Sequence, residues 1–143
     1  MTSYPKWWND TVTLYNRIEN ATTHEVTWQR TVISNCFASR VTRRVIVDKT
    51  LSVVQTHIVR IRESADYLSP SAWNDATTRT GKFTLQVGDL VVFGTVADTI
   101  SEYTAGQTSE DVLNKYINSG AFRVSVAKDN TDAAGAHYYG SEV

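Results

Sequence analysis

The sequence predicts a mainly β protein: a small β-barrel or sandwich of antiparallel strands, with one short α-helix and a long loop. Threonine and valine, whose β-branched side chains favour strands, are frequent along the chain. Apolar and polar residues alternate in several segments, as in strands that bury one face. The length of 143 residues, with 41% hydrophobic and 20% charged residues, predicts a single globular domain over 1–143.

The first half of the chain predicts two β-hairpins. The segments TVTLYNRI (11–18) and HEVTWQRTVI (24–33) both alternate, and the polar stretch ENATT joins them as a turn. The segments CFASRVTRRVIV (36–47) and LSVVQTHIVRIRE (51–63) flank Asp48-Lys49-Thr50 and predict a second, longer hairpin.

The middle of the chain predicts a loop followed by a pair of strands. Residues 64–80 are polar and unpatterned, and a loop of this length is typical of a binding or mobile segment. After it, KFTLQV (82–87) alternates and LVVF (90–93) is a continuous apolar run, as in a strand covered on both faces. Gly88-Asp89 predicts a turn between them, and Gly94 predicts a bend before TVADTI (95–100).

One helix is predicted near the C-terminus. The segment TSEDVLNKYINSG begins with a capping pattern, Thr108 to Asp111, and ends at Gly120. The segment AFRVSVAKDN (121–130) alternates and predicts a final strand. Residues 130–143 are weakly patterned, and we expect a flexible tail there.

Several function classes have no motif in the chain. The three histidines are far apart and the single cysteine, Cys36, cannot form an internal disulfide, so we expect no metal, no cofactor and a buried thiol. There is no glycine-rich phosphate loop and no nucleophile elbow. Asp89 and Asp98 are candidates for a glycosidase carboxylate pair, but two turn-forming aspartates are favoured. We also expect no signal peptide and no membrane span.

Charge is distributed unevenly, although the net charge is −1. If the second hairpin forms, its arginines are expected to make one basic face that contacts DNA or an acidic protein surface: Arg40, Arg43, Arg44, Arg60 and Arg62. The balance reverses between 98 and 132, which carries six acidic and three basic residues. A head-to-tail oligomer would match these two regions, although a solvated sheet face is an equal alternative.

Three tryptophans are further interface candidates. Trp7 and Trp8 are adjacent, so on a strand one ring would pack inward and the other would face a neighbouring element or a partner. The alternative is a terminal segment that is fastened to the core by its rings. Trp73 lies in the predicted loop 64–80.

The order of these motifs resembles small structural proteins from the morphogenesis modules of tailed phages and prophages of Gram-positive bacteria, usually called minor capsid proteins. The resemblance spans nearly the whole chain. It rests on WWNDTVTLYNR, VTWQRTVISNCF, the glycine-flanked strand 88–94, the capped helix ending in Tyr116, and Asp129-Asn130-Thr131. Where the family often has Pro-His-Trp near the C-terminus, this chain has Ala136-His137-Tyr138-Tyr139.

The resemblance implies a non-enzymatic virion protein of the neck, assembled in the bacterial cytoplasm. The most similar role is the head-closure, or stopper, protein. It forms a homo-oligomeric ring below the portal and adaptor, retains the packaged DNA and docks the tail. A tail terminator is the alternative within the same class. Two other classes remain open: an OB-like nucleic-acid-binding module that stacks bases on Trp and Tyr rings, and a small glycan-binding or hydrolytic module.

Overall fold

A computed structural model describes residues 4–132 and 135–142 of the chain. Seven strands form one curled antiparallel sheet, a half-barrel, in the order β5-β4-β1-β2-β3-β7-β6. The prediction of a mainly β fold is confirmed, although there are two helices where one was predicted. In chain order the elements are β1 (Asp10–Glu19), β2 (Val26–Val47), β3 (Thr50–Arg62), α1 (Pro70–Asp75), β4 (Leu90–Phe93), α2 (Ser109–Gly120), β5 (Ala121–Arg123), β6 (Val126–Asn130) and β7 (His137–Ser141).

The first predicted hairpin is formed by β1 and β2, which pair from Glu19↔Val26 onwards. The turn between them is held by the Asn20 side chain, whose Oδ1 accepts hydrogen bonds from the backbone N–H groups of Thr22 and Thr23. Such local bonds from an Asn side chain are a common way to close a polar turn.

The second predicted hairpin is also confirmed, but its first strand continues the first hairpin. β2 runs unbroken through both hairpins and changes direction at Asn35, which has a φ of 55°. β1 pairs with β2 up to Cys36, and β3 pairs with it from Phe37 onwards. The tight turn between β2 and β3 is two residues, Asp48 and Lys49, both at positive φ, as in a type I′ turn.

The predicted loop 64–80 contains a short helix, α1. Its N-cap is Ser69, whose Oγ accepts a hydrogen bond from the backbone N–H of Ala72, and Pro70 occupies the first turn. Trp73 on this helix is fully buried, and its Nε1 donates to the carbonyl of Arg17 at 3.1 Å. The loop is therefore fastened to β1 by the tryptophan.

The stretch 82–100 contains one strand, β4, so the prediction of a strand at 82–87 was wrong. β4 is confirmed, with Leu90, Val91 and Val92 fully buried. The segment before it pairs only through an isolated bridge between Tyr67 and Phe83. The side chain of Asn16 replaces a neighbouring strand there: its Nδ2 donates to the carbonyl of Thr84 at 2.6 Å and its Oδ1 accepts from the N–H of Thr84.

α2 begins as predicted. The Thr108 side chain accepts from the N–H of Asp111, and the Asp111 carboxylate accepts from the N–H of Thr108, a reciprocal capping box. The predicted single strand 121–130 is instead two strands, β5 and β6, at opposite edges of the sheet. Val124 and Ser125 connect these edges and thereby bring the two ends of the curled sheet together.

The C-terminal segment is not a flexible tail between 137 and 141. β7 lies between β3 and β6 and pairs with both. The hydrophobic core has two parts. One lies on the concave face of the sheet and includes Val12, Leu14, Val59, Ile61, Val91, Phe122 and Tyr138. The other lies between the opposite face and α2 and includes Tyr15, Leu90, Val92, Val112 and Ala121.

Candidate interaction surface

The most unusual feature of the structure is the outer part of the second hairpin, residues 41–56, which we call the arm. β1 ends opposite Cys36, and β7 pairs with β3 only from Ile58 onwards. Among the described strands, each strand of the arm therefore pairs only with the other. Seven residues per strand at ~3.3 Å each give a ribbon that extends ~23 Å from the body of the protein.

The arm exposes an unusual amount of apolar surface. Large apolar side chains that are 36–75% exposed occur at seven of its positions: Val41, Val45, Ile46, Val47, Leu51, Val53 and Val54. Only five other large apolar residues among the described ones reach this exposure. Contiguous patches of this kind mark interaction sites more often than do single exposed residues.

The apolar residues occupy both faces of the arm. Ile46 lies opposite Leu51, and Val53 follows on the same face, two residues along β3. Val41, Val45 and Val54 lie on the other face. A two-stranded ribbon cannot bury either face by itself and is marginally stable alone. The arm thus has the surface properties of a segment that is covered in an assembly.

The base of the arm is fixed to the body. The Arg40 guanidinium donates to the carbonyl of Asn118 at the end of α2, with 2.9 Å between the nitrogen and the oxygen. On the facing strand, His57 Nδ1 lies 3.0 Å from a carboxylate oxygen of Glu142, and its ring stacks on Phe122. These contacts set the direction in which the arm projects.

The prediction of one basic face was wrong for the arginines whose side chains the structure describes. Arg40 and Arg44 lie on one face of the hairpin, and Arg60 and Arg62 lie on the other, because the turn has two residues and pairs Arg40 with His57. A three-residue turn at 48–50 would have placed all four together, since a shift of one residue exchanges the faces of a strand. The side chain of Arg43 lies outside the described part of the structure.

Arg60 and Arg62 are engaged within the protein. The Arg60 guanidinium lies 5.4 Å from the ring centres of both Phe37 and Tyr139. The Arg62 guanidinium lies 4.7 Å from the ring centre of Tyr4 and donates to the carbonyl of Trp8 at 2.9 Å. These cation–π contacts attach the N-terminal segment to the sheet. Arg44, in contrast, is exposed on the arm.

The three tryptophans have different environments. Trp8 is buried, with its ring stacked on Phe37, and Trp73, which belongs to α1, is fully buried. Trp7 is 59% exposed, with the edge of its ring against Phe37. The two residues lie in a turn and not in a strand, so the strand-based prediction does not apply. Both rings contact Phe37, and the segment is fastened to the core by its rings, as in the alternative interpretation. Of the three candidates, only Trp7 offers an exposed ring.

The surroundings of Asp89 indicate a structural role for its carboxylate. Its carboxylate is fully buried and accepts hydrogen bonds from Asn16 Nδ2 and from the backbone N–H groups of Arg17 and Gln86, at 2.8 to 3.0 Å. Burial raises the pKa of Asp89 to about 6, against the opposing effect of these three donors. The carboxylate connects β1 to the turn before β4, and Gly88 has the positive φ, 98°, that this turn requires.

Asp98 lies outside that network. Its carboxylate accepts hydrogen bonds from Lys115 and Tyr116 on α2, which lower its pKa. The two aspartates thus hold different elements in place. The turn-forming interpretation fits Asp89, at the turn before β4, whereas Asp98 lies outside any turn and contacts α2.

Cys36 is fully buried, as expected, and burial raises the pKa of its thiol to about 12. In the described residues, no group of three or more His, Cys, Asp or Glu side chains is placed to hold a metal ion. No described helix is long and apolar enough to cross a membrane.

A signal for the arm was present in the sequence. In VIVDKTLSVV (45–54), apolar residues occupy both odd and even positions on either side of the turn. Such a run is typical of a strand covered on both faces. Here no other element in residues 4–132 and 135–142 covers it.

Comparison with known proteins identifies the family. Residues 7–139 match the family DUF6751, described as a family of unknown function. The match spans nearly the whole chain, so the protein belongs to this family. No curated protein and no solved structure shows significant similarity to it.

Proposed function

We propose that this DUF6751 protein is a structural component of the head–tail connector of a tailed phage or prophage, in the role of a head-closure protein. In this proposal it forms a ring in the virion neck, assembles in the cytoplasm of the bacterial host and contacts portal, adaptor and tail proteins. The observation that carries the proposal is the arm, because its two apolar faces call for cover by other protein. The specific role of head closure is proposed because the sequence motifs occur in the same order as in the phage minor capsid proteins that this chain resembles.

The surroundings of the polar residues favour a structural role over a catalytic one. The Asp89 carboxylate is saturated by three N–H donors, and His57 is held between Glu142 and Phe122 at the base of the arm. The Cys36 thiol is fully buried and has a raised pKa. We therefore assign the protein no reaction and no cofactor, and we place its function in the surfaces it presents.

The basic residues give limited support for contact with DNA in the lumen of a ring. The four described arginines of the second hairpin are divided between two faces, and two of them, Arg60 and Arg62, are engaged with aromatic rings. Seven exposed apolar residues on the arm also suit a protein surface better than a nucleic acid, whose interfaces are more polar and more positively charged. Protein contacts are therefore the primary role in this proposal.

The proposal is tested by mixing the purified protein with its cognate portal–adaptor complex and imaging the product by cryo-electron microscopy. A ring of added density below the adaptor is the expected result. If density appears only on isolated tail tubes, the protein is a tail terminator. Binding to neither structure would contradict the connector role.

A phage that lacks the gene separates the two roles in the neck. For a head-closure protein we expect heads that lose their DNA while tails remain of normal length. Filled heads with overlong tails would identify the terminator. An oligonucleotide gel shift at low salt tests the nucleic-acid-binding alternative, for which Trp7 is the exposed stacking ring; no shift is expected.

A further inference from the structure

We infer that the arm is covered by a second copy of this chain, and that it packs on the body of the neighbouring subunit and not on the neighbour's arm. This inference rests on the proposed function, because it names the contact that closes the ring. Here the body means all residues outside 41–56. Three properties of the arm support the inference: its apolar area, its charge and its position in the fold.

The apolar area is suited to a subunit contact. The seven exposed apolar side chains of the arm, at 36–75% exposure, present on the order of 600 Å², and one partner in a standard protein interface contributes ~800 Å². With the adjoining polar groups the arm could therefore supply one side of such an interface. Because the apolar residues lie on both faces, the neighbour has to enclose the arm and not only touch one face.

Charge decides between the two ways of pairing copies. The arm carries three basic residues, Arg43, Arg44 and Lys49, and one acidic residue, Asp48, which gives it a net charge of +2. The remaining eleven basic and fourteen acidic residues give the body a net charge of −3, which together with the arm accounts for the −1 of the chain. Two arms would repel each other, whereas an arm and a body attract.

The position of the arm gives the contact a direction. The arm tip and the β1–β2 turn lie at opposite ends of β2, the longest strand. At the end away from the arm, a surface depression of about 500 Å³ is lined by the exposed Val87 and by Glu19, whose carboxylate lies 3.6 Å from Arg17 Nη1 and 3.7 Å from His24 Nδ1. Near this end Tyr103, 69% exposed, accepts a hydrogen bond from the N–H of Val26. An arm-to-body contact joins different surfaces, and such head-to-tail contacts build rings when their rotation closes.

The arm contact is tested with two matched double variants. Val53→Ser with Val54→Ser removes one exposed apolar side chain from each face of the arm, at 64% and 42% exposure. Val32→Ser with Ile117→Ser removes two apolar side chains at 39% and 48% exposure, away from the arm and from the depression lined by Val87. Sedimentation velocity over a range of concentrations should show that the arm variant weakens self-association at least tenfold. The control should do so less than threefold, and added salt should weaken the wild-type association.

The neighbour is identified by photo-crosslinking, which also covers a protein that assembles only on a template. Cys36 is fully buried, so a Thr50→Cys variant carries one accessible thiol, at the arm tip, for a benzophenone maleimide. Crosslinks are mapped by mass spectrometry in the protein alone and on the portal–adaptor complex. We expect crosslinks from the arm tip to body residues of another copy.

Each outcome of the crosslinking experiment decides one of the two proposals. Crosslinks to the portal or adaptor would overturn the inference and leave the connector role standing. Crosslinks between two arm tips would overturn the head-to-tail arrangement. Crosslinks to the body of another copy, with no binding to the portal–adaptor complex, would confirm the inference and count against the connector role.

Discussion

The buried carboxylate of Asp89 gives this protein a specific dependence of stability on pH. Burial raises the pKa of Asp89 from 3.8 to about 6 in the folded protein. A carboxyl group with a raised pKa binds its proton more tightly in the folded state than in the unfolded state. Its contribution to stability is therefore present below about pH 4 and is lost as the pH rises through about 6. The shift of roughly two pH units corresponds to about 3 kcal/mol.

The test compares the free energy of unfolding of the wild type with that of Asp89→Asn. The amide does not titrate, so the variant carries a pH-independent cost for turning its NH₂ group towards one N–H donor, either that of Arg17 at the Oδ1 position or that of Gln86 at the Oδ2 position. Urea unfolding is measured from about pH 4 to about pH 7. The free energy of unfolding of the wild type minus that of the variant should fall by at least about 2 kcal/mol as the pH rises over this range. The contributions of all other titrating groups cancel in the difference.

Asp98→Asn provides a control whose difference from the wild type should stay nearly constant over this pH range. Hydrogen bonds from Lys115 and Tyr116 lower the pKa of Asp98, so its contribution is present at neutral pH and is lost only below about pH 4. If the free energies of unfolding of the wild type and of Asp89→Asn changed in parallel with pH, the reasoning would be refuted. They would mean that the three N–H donors fully offset the cost of burying the carboxylate.

Two further predictions concern positions where the packing leaves no room. At Gly120, with a φ of 107°, an added Cβ would lie 2.5 Å from a ring carbon of Phe93. Gly120→Ala should therefore lower the free energy of unfolding, measured in urea, by about 2–4 kcal/mol. The control is Gly106→Ala, at a φ of 83° with nothing within 4 Å of the added Cβ, which should lower it by only about 1–2 kcal/mol. Equal losses in the two variants would exclude the clash with Phe93 as the cause. Cys36, fully buried and with a pKa of about 12, should react with Ellman's reagent only after unfolding, and a rapid reaction of the native protein would contradict its burial.

The elements that were predicted correctly are those whose signals are local. The capping box of α2 lies within four residues, and each hairpin joins two alternating segments across a short polar turn. The burial of both faces of β4 followed from four consecutive apolar residues. In each case the residues that determine the structure are close in sequence, so their pattern can be recognised without knowledge of the fold.

The errors arose where a distant partner decides the structure. The alternation of 82–87 is that of a strand, but its neighbour in the fold is the Asn16 side chain and not a backbone edge. β7 has a weak pattern of its own and is a strand because β3 and β6 lie on either side of it. The prediction of one basic face was wrong because the turn between β2 and β3 has two residues and not three. This difference of one residue places Arg60 and Arg62 on the side of the sheet opposite to Arg40.

The continuity of β2 has a mechanical consequence. The same strand forms one side of the arm, passes through the bend at Asn35 and then lies beside β1 in the core. No flexible linker separates the arm from the core, and the contacts of Arg40 and His57 act as a pivot at its base. A force applied to the arm tip is therefore transmitted into the sheet, through β2 to β1 on one side and through β3 to β7 on the other. We therefore expect that binding of a partner to the arm would make the half-barrel more resistant to forced unfolding.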